Sequence, residues 1–98
     1  MNKSTNAIFT IQKESLEKIQ FPKQEVLTTP KLIEDRKSQA QRAMARGNSP
    51  YNSQVKIVFE DGEGKKIVES EVWGVTAKYL LLKRGMSLPL HRIHEIII

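Results

Sequence analysis

The chain predicts an α+β fold, mainly β: a small five-stranded antiparallel barrel preceded by one or two helices. Three observations carry that prediction. Within residues 54–98, Val55, Ile57 and Phe59 alternate with Lys56, Val58 and Glu60, the period of a half-buried strand. Further short apolar runs follow, each set off by a turn signal, and closely spaced short strands close into a small barrel or a tight sandwich. Ahead of them, Thr29-Pro30 and Gly47-Asn48-Ser49-Pro50 bracket a single long helix. At 98 residues this is one domain, with an N-terminal helical segment (1–49) and a barrel (50–98).

In chain order, residues 1–10 are expected to be frayed or to form a short strand through Ala7-Ile8-Phe9-Thr10-Ile11. Residues 12–20 predict a short helix with Leu16 and Ile19 on one side and Lys13 and Glu17 as an i,i+4 pair on the other. Phe21-Pro22 ends it, because a residue before proline avoids the helical region. Lys23 to Thr28 is a connector, with Val26 and Leu27 tacking it to the core.

The helix from Pro30 to Arg46 starts with Thr29 as the cap and proline at the first helical position, where a missing N–H costs nothing. Glu34 and Asp35 lie toward the positive end of its dipole, Arg42 and Arg46 toward the negative end. Its apolar stripe is thin: Ile33, Ala40 and Met44, flanked by Leu32 and Ala43. That suits a helix lying on a barrel surface.

The first strand, 54–60, leads into Asp61-Gly62-Glu63-Gly64, a turn whose residues tolerate positive φ. The second, 65–76, is long, and Ser70 and Gly74 inside it mark a bend or bulge of the kind a small barrel needs. Thr76-Ala77-Lys78 turns into the third strand, 79–84, whose Tyr79-Leu80-Leu81-Leu82 run predicts cover on both faces. Gly85-Met86 turns into a short fourth strand, 87–90, placed at an edge by Pro89. A tight turn over His91–His94 precedes the fifth strand, Glu95 to Ile98.

This pattern resembles the Sm-like or SH3-type small barrel. The resemblance lies in Trp73-Gly74-Val75-Thr76, then Tyr79-Leu80-Leu81-Leu82-Lys83, Leu88-Pro89-Leu90, Ile93 and Ile96. The chain is also similar to members of an uncharacterised family of short bacterial proteins with a Phe-Pro…Val-Leu-Thr-Thr-Pro segment, here Phe21-Pro22 to Val26-Leu27-Thr28-Thr29-Pro30. The barrel resemblance implies ring formation and single-stranded RNA binding. Where such barrels often end on Ile-Arg-Gly, this chain has Glu95-Ile96-Ile97-Ile98, so none of that family's binding residues is carried over.

Composition narrows the chemistry. With no cysteine, there is no disulfide, thiolate nucleophile or Cys-ligated metal. His91 and His94 are spaced to share a metal on a helical turn but lack a third ligand nearby, so a polar turn is expected and no metal site is assigned. No serine sits in a nucleophile elbow, and Asp61-Gly62-Glu63-Gly64 lacks the Lys-Ser/Thr of a phosphate loop. Glu69 and Glu71 share a strand face near Lys56, Lys65 and Lys66, where ion pairing is expected rather than acid–base work. The reading is therefore non-enzymatic and without cofactor. No signal-like or spanning apolar run occurs, so a cytoplasmic protein with no membrane partner is expected.

The charge of +5 is uneven. Residues 1–53 hold nine Lys+Arg against five Asp+Glu, and residues 54–98 hold seven against six. The expected function is a non-catalytic binding or regulatory module, with nucleic acid as the candidate partner through a basic helix face. Arg36, Lys37, Arg42 and Arg46, with Lys83, Arg84 and Arg92 on the barrel, would contact phosphates. Trp73, Tyr79 or Tyr51 would stack on bases if exposed, although cover by the long helix is the expectation for Trp73. The alternative is a protein-interaction or assembly module using a sheet edge and Ile96-Ile97-Ile98, which on a free edge would pair with another copy.

Overall fold

A computed structural model describes residues 9–46 and 54–98. The fold is α+β and mainly β, with one long helix and seven strands in two sheets among the described residues. The strands are β1 (Phe9–Ile11), β2 (Val55–Glu60), β3 (Lys65–Ser70), β4 (Val72–Val75), β5 (Tyr79–Leu82), β6 (Ser87–Pro89) and β7 (Ile93–Ile97). The helix, α1, runs Pro30–Arg46. One sheet has the order β1-β3-β2-β7 and the other β4-β5-β6. Among the described residues the two hydrogen-bond ladders do not join into one ring.

The expected second strand is divided. Ser70 is buried at the end of β3, and after Glu71 the chain continues as β4 in the other sheet. A small residue at this corner lets the backbone turn without a side chain obstructing the core. Gly74 marks a second irregularity, where the β4–β5 register shifts between Val72 and Gly74. A side chain at Gly74 would crowd Leu81, with Cδ1 only 3.2 Å from a Cβ placed there.

The turns follow from their residues. Asp61 Oδ1 accepts from the N–H groups of Glu63 (2.8 Å) and Gly64 (3.1 Å), and Gly64 takes φ 146°, closing the β2–β3 hairpin. Thr76 does the same for β4–β5: its Oγ1 accepts from Tyr79 N–H at 2.9 Å, and its own N–H donates to Tyr79 O at 2.9 Å. Thr29 caps α1 through Leu32 N–H at 3.2 Å. Residues 12–20 form a tighter 3-10 helix over Lys13–Lys18, in which Lys13 meets Glu14 at 3.9 Å rather than Glu17. β1 adds to the outside of β3 in parallel, with Phe9 opposite Lys66. The expected stop at Gly47–Pro50, the segment before Phe9 and Tyr51 lie outside the described residues.

Both sheets line a common core. Ile57, Phe59 and Val68 come from the larger sheet, Val72, Leu80, Leu82 and Leu88 from the smaller, and Ala40 and Ala43 from α1. The helix lies against both β4 and β7. Its buried face is not the expected Ile33–Ala40–Met44 stripe but Arg36, Ala40 and Ala43, with Ile33 and Met44 left 38% and 40% exposed. Two alanines allow close approach, which the bulkier stripe would prevent. The third strand is likewise covered on one face only: Leu80 and Leu82 are buried, whereas Tyr79 and Leu81 point outward.

At the C-terminus, Ile96 is buried and Ile97 and Ile98 are exposed. β7 is a sheet edge, and polar side chains of α1 cover part of it. Arg36 Nη1 donates to Ile93 O at 2.9 Å, and Gln39 Oε1 accepts from Ile96 N–H at 2.8 Å. These two bonds occupy backbone groups that another copy's strand would otherwise pair with.

Candidate functional site

The cations expected to form one basic surface occupy different environments. Arg36 is buried, its guanidinium gripping Glu25 at both ends, Nη1 to Oε2 at 2.7 Å and Nη2 to Oε1 at 2.6 Å. Arg92 is buried too, donating to the carbonyls of Glu60 (2.9 Å), Gln24 (2.8 Å) and Asp61 (3.4 Å). Through these bonds the two lock the connector 23–28 and the β2–β3 hairpin to the core. Lys37 and Arg42 are exposed, but five residues apart places them about 140° round the helix from each other. Arg46 is half-buried at the end of α1. The single basic helix face expected from sequence is therefore divided between sides of α1.

Trp73 corrects another expectation. It is 57% exposed on β4, not covered by α1. Its Nε1 donates to Glu71 Oε1 at 3.5 Å, and Lys83 Nζ meets Glu71 Oε2 at 3.2 Å. One carboxylate thus stands between the indole and the nearest candidate lysine, offsetting the lysine's pull on a phosphate. Arg84 is exposed and holds φ 67°, the left-handed region uncommon outside glycine.

A different constellation does come together. Between α1 and the Val75–Tyr79 segment lies a groove of about 940 Å³. Ile33, Ala40 and Met44 of α1 form one wall; Val75, Tyr79 and Leu90 face them. Lys23, Lys37 and Lys78 stand round it, and none has a carboxylate partner among the described residues. The one carboxylate in the lining is Glu25, which Arg36 already neutralises. Burial would raise the Glu25 carboxyl, but the bonds from Arg36 and from the N–H groups of Leu27 and Val26 hold it below its ordinary range. It is therefore an anion at neutral pH, spent on Arg36.

Tyr79, Lys37 and Arg36 were named from sequence; Lys23, Lys78 and Glu25 were not. The available signal was the helical spacing Ile33–Lys37–Met44, which sets a cation within an apolar stripe. His91, also on the lining, donates Nε2–H to Pro22 O at 3.0 Å. His94 instead faces Glu60 Oε1 at 2.8 Å, so the two imidazoles serve separate contacts. Among the described residues no group of three or more His, Asp or Glu is arranged to hold a metal, and no helix is long and apolar enough to cross a membrane. The chain matches no protein-family model, no curated protein and no solved structure.

Proposed function

We propose that this chain is a non-catalytic cytoplasmic binding module, built on an Sm/SH3-type small-barrel plan, that takes an anionic ligand into the groove between α1 and Val75–Tyr79. The observation that carries this reading is the ring of Lys23, Lys37 and Lys78 around an apolar floor, with the only carboxylate there already paired. Such lysines focus a positive potential on the concavity, and the apolar side chains gain from losing water when it fills. The barrel plan is supported by the strand that bends at Ser70–Glu71 to serve both sheets and by the core they share.

A second reading, single-stranded nucleic acid on the outer face of β4–β5, is favoured by the exposure of Trp73 beside Lys83. The Glu71 carboxylate between them weighs against it. Titration with two anionic probes, a labelled single-stranded RNA pool and labelled poly-glutamate, tests the proposal. At least one should bind at low salt, weaken as salt rises, and be lost with Lys37→Glu and Lys78→Glu together while surviving Arg42→Glu. Absence of binding by both probes at low salt would remove it.

A further inference from the structure

We infer that the groove's occupant is an acidic amphipathic helical segment of a partner protein, lying along α1 with its apolar side chains between the two walls and its carboxylates on the lysines. This rests on the binding reading above and gives it a partner class. Four observations lead there.

The first is length. Ile33 to Met44 spans eleven residues of α1, about 16 Å of groove at the helical rise, or three turns of a helix laid alongside. The second is openness. Ile33, Met44 and Tyr79 all keep about two-fifths of their surface in solvent. A site for an enclosed small molecule buries most of its ligand. A trough with half-exposed walls suits a segment that remains part of a larger body. Methionine and tyrosine at such positions adapt to varied side chains.

The third is charge. Lys23, Arg36, Lys37 and Lys78 against Glu25 leave the lining at +3 with His91 neutral. The fourth is the state of the backbone. Thr76 N–H bonds Tyr79 O, Leu90 N–H bonds Lys78 O, and the opposite wall is a helix bonded within itself. With these groups already paired, an extended segment lying along α1 would find few partners for its own N–H and C=O groups, whereas a helix satisfies its own. Nucleic acid is the poorer fit, because Tyr79 is the one Phe, Tyr or Trp on the lining, the His91 ring is bonded to Pro22 O, and Trp73 is not part of it.

The test is fluorescence anisotropy with a labelled peptide of about twelve residues, three turns, carrying leucines at i, i+3, i+4 and i+7 and glutamates elsewhere. A scrambled peptide of the same composition and the RNA pool are the comparisons. The patterned peptide should bind at least about tenfold more tightly than the scrambled one, and Lys37→Glu with Lys78→Glu should cost a further tenfold or so. Met44→Ser should weaken it several-fold, and Arg42→Glu should leave it unchanged. All four substituted side chains are exposed, so an unaltered melting temperature certifies the fold. Equal binding of the two peptides would overturn the helical partner while leaving the anionic reading standing. RNA bound in the groove without peptide would replace the partner class. No binding by any probe would sink both.

Discussion

Arg36 shows how one side chain can change meaning between a linear chain and a folded one. In sequence it is one of several cations on a polar helix. In the structure it makes three hydrogen bonds, to both Glu25 oxygens and to the carbonyl of Ile93. Deleting it leaves a partly buried carboxylate without its charged partner and the Ile93 carbonyl without this donor, so Arg36→Ala should destabilise the fold by about 3 kcal/mol. Chemical denaturation of the single and double Arg36→Ala and Glu25→Ala variants measures it. The double variant should lose less than the two singles together, because the uncompensated charge goes with its partner.

Asp61 is held by a similar arrangement. Burial would raise its carboxyl, but the Lys66 ammonium and the N–H groups of Glu63 and Gly64 hold it low. With Glu25 also depressed, the unfolded chain binds more protons than the folded one in acid. Their contribution to stability is present above the ordinary carboxylate pKa of about 4 and is lost as pH falls through the lower folded values. Thermal midpoints should be level near neutral pH and drop in acid, with a shallower acid limb for Asp61→Asn. Lys66 is raised by the bonds its ammonium donates to Asp61 and Glu63, so its share is lost only as pH climbs through the folded ammonium's pKa.

At the scale of elements, the boundaries set by local backbone chemistry were legible, whereas others were not: the last strand begins at Ile93 rather than Glu95, and facing was not legible. Thr29-Pro30 fixed the start of α1, the Asp61–Gly64 turn fixed the first hairpin, and Ser70 fixed the corner, because each rests on local backbone chemistry. The face α1 buries depends on what it meets. Alanines at 40 and 43 let it close on two sheets, which left the larger Ile33 and Met44 to line a groove that no local pattern distinguishes from core. Trp73 illustrates the same limit: its outward register follows from strand alternation, but whether an element covers it is a tertiary matter.

Gln39 connects the helix to the free edge of β7 through Ile96 N–H. Gln39→Ala should cost about 1 to 2 kcal/mol and open that edge to pairing, read as concentration-dependent sedimentation of the variant. Arg84, left-handed in the β5–β6 turn, should behave oppositely. Arg84→Gly relieves a conformation that costs a side-chain-bearing residue about 1 kcal/mol and should raise the melting temperature by a few degrees.

For the whole molecule, the two sheets and the helix spanning β4 and β7 divide the surface into unequal parts. The buried cations Arg36 and Arg92 hold the architecture together. Lys23, Lys37 and Lys78, round the groove, have no carboxylate partner among the described residues and lie against apolar surface. That asymmetry was hidden in a net charge of +5, which counts Arg36 and Arg92 equally with Lys37 and Lys78. The most direct measurement is amide chemical-shift mapping of the intact protein during titration with poly-glutamate at low salt. The account predicts that the largest shifts fall on residues 33–44 and 75–79 and fade as salt is added. Shifts centred instead on Trp73, Arg84 and Arg42, or none at all, would contradict it.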